Sequence, residues 1–149
     1  MSTKGEYGVR AMLELSLQYG DGPIPLRAIA AKQDISEHYL EQLFGGLRKS
    51  GLVKSVRGAQ GGYELSRDPS EISVGSILRV LEGPIGPTEC ATDEHDGCEC
   101  TRLGFCAAQI LWKRVGDAIL SVVDNTTLQD LVDETERLAR KPDSLMYHI

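Results

Sequence analysis

The chain has 149 residues, 41% of them apolar and 5% aromatic, with a formal net charge of −6. That length suits one domain with an aliphatic core and at most an appendage. No run approaches the ~20 apolar residues of a membrane span, and the opening MSTKGEYGVR lacks the apolar stretch of a signal peptide. A cytoplasmic protein is expected, with no membrane partner and no small-molecule substrate. An enzyme is not expected either: no Ser/His/Asp or paired-carboxylate set stands out, and His38, His95 and His148 have no evident catalytic partners. The acidic total argues against nucleic acid only until it is divided along the chain. Residues 1–67 hold nine Lys/Arg against seven Asp/Glu, and residues 68–149 hold seven against fifteen. Between Gly45 and Arg67 the basic residues Arg48, Lys49, Lys54, Arg57 and Arg67 face a single acid, Glu64. A basic patch on an acidic body can still bind phosphate.

In chain order, Thr3-x-x-Glu6 reads as a capping box. Tyr7, Ala11 and Leu15, with Met12 and Tyr19, make a helical stripe that should end near Gly20-Asp21-Gly22-Pro23. Pro25 opens a short helix, Leu26 to Gln33, with Leu26, Ile29 and Ala30 inward. After the tight turn Asp34-Ile35-Ser36, Ser36 caps a helix from Glu37 to Lys49 whose Leu40, Leu43, Phe44 and Leu47 share a face, with Gly51 as its stop. Two short helices joined by a tight turn, the second amphipathic, predict a helix-turn-helix. Two β-like runs carrying Val53, Val56, Tyr63 and Leu65 then flank the glycine-rich turn Gly58 to Gly62, a hairpin that would form a wing with Arg57 at its tip. The glycines do not read as a phosphate loop, because no helix entry and no Lys-Ser/Thr follows them.

Ser73 caps a helix from Val74 to Glu82, closed by Gly83-Pro84. Cys90, Cys98, Cys100 and Cys106 then fall within seventeen positions, at spacings x7, x1 and x5, among Asp93, Glu94, Asp96 and Glu99. So polar a loop offers thiols no core, and in a reducing compartment it reads as a metal cage before a disulfide knot. Zinc sites usually pair C-x2–4-C knuckles, which this spacing does not supply. A long helix from about Ala107 to Val123 carries Ile110, Leu111, Trp112, Val115, Ala118, Ile119 and Val122, more apolar surface than a three-helix head covers. It is therefore the expected dimer contact. Asn125-Thr126-Thr127 ends it, a last helix runs from Leu128 to Arg140, and the tail from Pro142 reads as loosely held. The expected fold is mostly α with a small β-hairpin. A winged helix-turn-helix head spans 1–83 (wing 52–67), a cysteine loop 84–106, dimerisation helices 107–141 and the tail 142–149.

The blocks TKGEYGVRAML (Thr3–Leu13), ISEHYLEQL (Ile35–Leu43), LRKSGLVKSVRG (Leu47–Gly58), GGYEL (Gly61–Leu65) and LEGPI (Leu81–Ile85) resemble the Rrf-type winged-helix regulators, most of all their IscR-type iron–sulfur cluster regulators. The resemblance runs from about Thr3 to Leu131. It implies a homodimer, crossed through the long helix, that binds double-stranded operator DNA in two successive major grooves. Glu37–Lys49 would be the recognition helix, with His38, Tyr39, Glu41 and Gln42 toward bases or backbone. Arg48, Lys49 and Lys54 would meet phosphates, and Arg57 would enter the minor groove. Glu41 matches an acid that discriminates between operator classes.

The resemblance also implies an iron–sulfur cluster, 2Fe–2S before 4Fe–4S, on three cysteines. Cys100-x5-Cys106 repeats the family's last spacing and Cys90 its first ligand, whereas Cys98 is extra and Gln109 stands where a histidine ligand is expected. The fourth ligand is then Cys98, Glu6 (as in family members that offer a carboxylate across the dimer) or His95. The alternative is a regulator of cysteine metabolism, dependent on thiol redox or on a partner protein, without a cluster.

Overall fold

In a computed structural model, described over residues 2–86 and 107–140, six helices and one antiparallel hairpin build the expected winged helix-turn-helix. They are α1 (Thr3–Leu17), α2 (Leu26–Gln33), α3 (Glu37–Lys49), β1 (Val53–Val56), β2 (Gly62–Leu65), α4 (Val74–Glu82), α5 (Ala107–Asp124) and α6 (Leu128–Ala139). A short 3-10 turn, Pro69–Glu71, precedes α4 and was not expected. No helix among the described residues is long and apolar enough to cross a membrane.

The core lies where α1, α2, α3 and α4 converge. Ala11, Met12 and Leu15 of α1 meet Ile29 of α2, the stripe Leu40, Leu43, Phe44 and Leu47 of α3, Val53 of β1 and Ile77 of α4, all buried. These positions recur at three- and four-residue intervals on each helix, which puts them on one face. Tyr19, expected to extend the α1 stripe, lies past the end of the helix and is exposed.

The turn between α2 and α3 is tight because Asp34 takes a left-handed conformation (φ 54°) and the Ile35 N–H donates to the Ala30 carbonyl at 3.0 Å. The Ser36 hydroxyl accepts the Tyr39 N–H at 3.0 Å, as an N-cap should. Gly51 (φ 83°) stops α3 and hands the chain to the hairpin.

The hairpin pairs Val53 with Leu65 and Val56 with Gly62. Ile24 exchanges backbone bonds with Tyr63 at 2.9 and 2.8 Å, so the base of the wing is anchored to the segment before α2. That approach needs glycine at 62: a Cβ there would lie 2.2 Å from the Ile24 carbonyl oxygen.

The Thr3–Glu6 capping box does not form. Thr3 already lies within α1, and Ser2 is the N-cap residue without a side-chain cap bond. Two amides at the helix start are instead held from α4, where Oε1 of Glu82 accepts the Ser2 N–H at 2.5 Å, the Gly5 N–H at 3.3 Å and the Ser2 hydroxyl. A carboxylate at a helix N-terminus is a charged acceptor facing the positive end of the dipole, which a threonine hydroxyl cannot equal.

A capping box does form at Thr127 and Asp130, each side chain accepting the other's backbone N–H (3.1 and 2.9 Å), and opens α6. α6 lies against α1, its start tied to the head through Leu128 N–H to the Ile72 carbonyl at 2.9 Å.

Candidate nucleic-acid interface

The face of α3 opposite its buried stripe is polar and exposed. His38, Glu41 and Gln42 stand together there, with Gln42 Nε2 3.3 Å from His38 Nε2 and Glu41 Oε2 3.9 Å from His38 Nδ1. Arg48 and Lys49 occupy the last turn, where cations complement the helix dipole. A helix built this way can lay three hydrogen-bonding side chains against base edges while its end meets phosphate.

Tyr39 is placed differently from its neighbours. It is half-buried, its ring edge-on to Tyr7 of α1 (centroids 5.9 Å, planes 87° apart) and its hydroxyl 3.4 Å from the Thr3 hydroxyl. It supports α3 from behind more than it extends the exposed face.

On the wing, Lys54 faces Glu64 across the hairpin at 3.3 Å, so part of its charge is answered within the protein. Arg57 is exposed beside the turn and has no ion pair among the described residues. The turn itself requires glycine: Gly58 has φ 114°, and a Cβ on Gly61 would lie 2.1 Å from the Val56 carbonyl oxygen.

Three carboxylates that sequence reasoning passed over tie together the helices around this face. Glu14, buried on α1, accepts from Lys32 Nζ at 2.9 Å and Gln33 Nε2 at 2.6 Å, joining α1 to α2. Its signal was present, since an acid between Met12 and Leu15 sits inside an apolar stripe. Asp124, at the end of α5, takes both Arg79 nitrogens of α4 at 2.6 and 2.9 Å. That bidentate bond holds the Asp124 carboxyl below its ordinary range, against a smaller upward push from burial. Glu82 is the third. Burial pushes its carboxyl up, but the bonds from Ser2 and Gly5 outweigh this and hold it below its ordinary value.

Cys90, Cys98, Cys100, Cys106 and His95 lie outside the described residues, as does the tail from Pro142. Among the described residues no group of three or more His, Cys, Asp or Glu could hold a metal ion. Glu6 is exposed on α1, 3.9 Å from Arg10, with its carboxylate used in no cap. Gln109 sits half-buried in the first turn of α5. Around it α5 buries only Gly116 and Val123, leaving Ile110, Leu111, Trp112 and Val122 exposed.

A family model, Rrf2, described as iron-dependent transcriptional regulators, matches residues 1–134. The HTH-type transcriptional regulator CymR of Bacillus subtilis (strain 168) is 48% identical over 136 residues, 91% of each chain. The solved structure of CymR (YrzC), the global cysteine regulator of B. subtilis, superposes with a TM-score of 0.78 at 47% identity, covering 90% of this chain and 96% of that one. The structure of T. potens IscR gives 0.77 at 45% identity, covering 93% and 89%. The HTH-type transcriptional regulator IscR of Yersinia pseudotuberculosis serotype O:1b (strain IP 31758) is 42% identical over 138 residues, 93% of this chain and 82% of the relative.

Proposed function

The chain belongs to the Rrf2 family and is a DNA-binding transcription regulator, and we propose that it works as a homodimer whose operator affinity is set by an iron–sulfur cluster on the Cys90–Cys106 segment. The observation that carries the operator half of this reading is the polar face of α3, backed by the buried stripe that fixes its orientation. The dimer half is supported by the exposed apolar face of α5.

In this reading Gln42 pairs with adenine, whose N6 and N7 it matches, and Glu41 accepts from cytosine N4. Glu41 is also repelled by phosphate and by acceptor edges, which is how it would separate two operator classes. Arg48, Lys49 and Lys54 neutralise phosphates and set register, while Arg57 reaches the minor groove from the wing. Two copies joined through α5 would place two recognition helices about one DNA turn apart.

The chemistry of the donor set fits a cluster: four thiols lie within seventeen positions, and thiolates are the usual ligands of iron–sulfur centres. Cys90, Cys100 and Cys106 would hold it, with Cys98 or Glu6 as the fourth ligand. Glu6 remains a candidate because its carboxylate caps nothing, whereas Gln109 is a poor ligand for iron. A bound cluster supplies a group that is gained or lost with iron supply and oxidation. Its effect on transcription then requires different operator affinity in the two states.

A second reading has its own support in the 48% identity to CymR, whose B. subtilis form is described as the global cysteine regulator. Here the cysteines themselves, or a partner protein, would set operator affinity in the control of cysteine metabolism. One experiment separates the two. The protein is purified anaerobically, its absorption spectrum and iron and sulfide contents are recorded, and binding of loaded and metal-free protein to a selected operator duplex is compared at fixed salt. Iron and sulfide with unequal affinities support the cluster. A colourless protein that still binds operator supports the second reading, and a coloured protein with equal affinities overturns the switch. Loss of colour in Cys98→Ala or in Glu6→Ala identifies the fourth ligand.

A further inference from the structure

We propose that Glu82 is a positioning residue for operator binding: by holding the first turn of α1 it fixes Tyr39, and through Tyr39 the angle at which α3 meets DNA. The inference rests on the reading of α3 as the recognition helix. Its starting point is that the first four N–H groups of a helix have no partner within it. In α1 one carboxylate, from the last residue of α4, takes the Gly5 N–H, the Ser2 N–H and the Ser2 hydroxyl together.

The crossing of α1 and α4 leaves that turn little freedom. A Cβ on Gly5 would lie 2.9 Å from both Glu82 Cδ and Leu78 Cδ2, and one on Gly8 would lie 2.0 Å from Leu81 Cδ1. The same turn touches the recognition helix on its other side. Thr3 reaches the Tyr39 hydroxyl and Tyr7 packs against the Tyr39 ring, so two consecutive α1 turns flank this one side chain. Between α3 and α4 a groove of about 150 Å³ stays open, bordered by Lys4, Tyr39, Gln42, Gly46 and Val80. Tyr39 lines that groove, and its ring and hydroxyl are met by Tyr7 and Thr3 of α1. Tyr39 stands one residue from His38 and two from Glu41, so a small rotation of α3 there moves both base-reading side chains.

The test is a double-mutant cycle on binding of the full-length dimer to a duplex selected in vitro with the wild-type protein. It is run at temperatures where circular dichroism shows every variant folded. Glu82→Ala and Tyr39→Ala are each expected to weaken binding about tenfold, and the double variant no more than the worse single one. The dependence of affinity on salt should keep its wild-type slope, because neither residue neutralises a phosphate. Glu82→Gln, which can still accept through its amide oxygen, should recover most of the loss. If Glu82→Ala does not fold, Gly5→Ala takes its place in the cycle, since the added methyl crowds the Glu82 carboxyl. Additive losses, a changed salt slope or wild-type affinity in folded Glu82→Ala would each overturn the proposal. A wild-type chain that selects no duplex at all would overturn the operator reading beneath it.

Discussion

The head and α5 handle apolar surface in opposite ways. Phe44 of α3 is 0% exposed, enclosed by residues from α1, α2, α4 and β1. On α5, Ile110 and Val122 are 65% and 66% exposed, and only Gly116 and Val123 are buried. Both helices carry apolar residues at helical spacing. One finds its cover among the described residues and the other does not. Amphipathic pattern alone thus announces that a face will be buried, and leaves open whether the same chain or a second copy does the burying.

The largest break in that comparison should come from Phe44→Ala. Removing a fully enclosed aromatic side chain costs about 3–5 kcal/mol, and Tyr63, whose ring lies 4.9 Å from it, would lose its packing partner on the wing. Urea unfolding followed by circular dichroism should record that loss, and a change under 1 kcal/mol would mean that the head is held elsewhere. Val122→Glu is the counterpart on α5. It should leave the stability of the head nearly unchanged, shift sedimentation from dimer to monomer, and weaken operator binding on the order of a hundredfold as two half-sites lose their link. A charged residue at 122 that left the dimer intact would remove α5 as the contact.

The wing gives a smaller effect with a sharper origin. Gly62→Ala places a methyl against the Ile24 carbonyl, which is backbone and cannot rotate away. A cost of about 1–3 kcal/mol is expected, with the bridge from Ile24 to Tyr63 opened. Amide hydrogen exchange at Ile24 and Tyr63 should quicken in the variant, and unchanged protection would show that the wing does not need that anchor.

How much of this was legible in the sequence depended on how local its cause was. Ser36, the Leu40–Leu47 stripe and Gly51 mark α3 within fifteen or so positions, and α3 forms where they place it. The two capping-box spacings, Thr3–Glu6 and Thr127–Asp130, look alike on paper, yet only the second forms. The first does not form because α1 starts a residue early: Ser2 takes the N-cap place, its carbonyl accepts the Glu6 N–H, and a carboxylate 80 residues away takes the Ser2 and Gly5 amides. No local pattern carries that information. The same holds for the Ile24–Tyr63 anchor and for Tyr39, whose spacing suits the exposed face of α3 while its ring is held by Tyr7. The exposed residues of the candidate interface were legible because amphipathicity marks both sides of a helix at once. The cysteine spacing is equally plain in the sequence, but Cys90–Cys106 lies outside the described residues.

The smallest expected effect concerns the ties that bind the two regions to each other and to α4. Glu82 and Asp124 both titrate below their ordinary values of 4.5 and 3.8 in the folded protein. The unfolded chain therefore takes up protons at a higher pH than the folded one, and stability rises with pH through that window. Their contribution is present above about pH 5 and is lost as pH falls through the folded-state values. Glu82→Gln should remove its share of this dependence, flattening the acid limb of thermal stability measured between about pH 5 and 3. Asp124→Asn should do the same for the α4–α5 tie while leaving the α1 cap intact. An acid limb of unchanged slope in both variants would mean that α5 rests on the head through Val123 and its neighbours alone, with the Arg79–Asp124 pair contributing little, as exposed ion pairs often do.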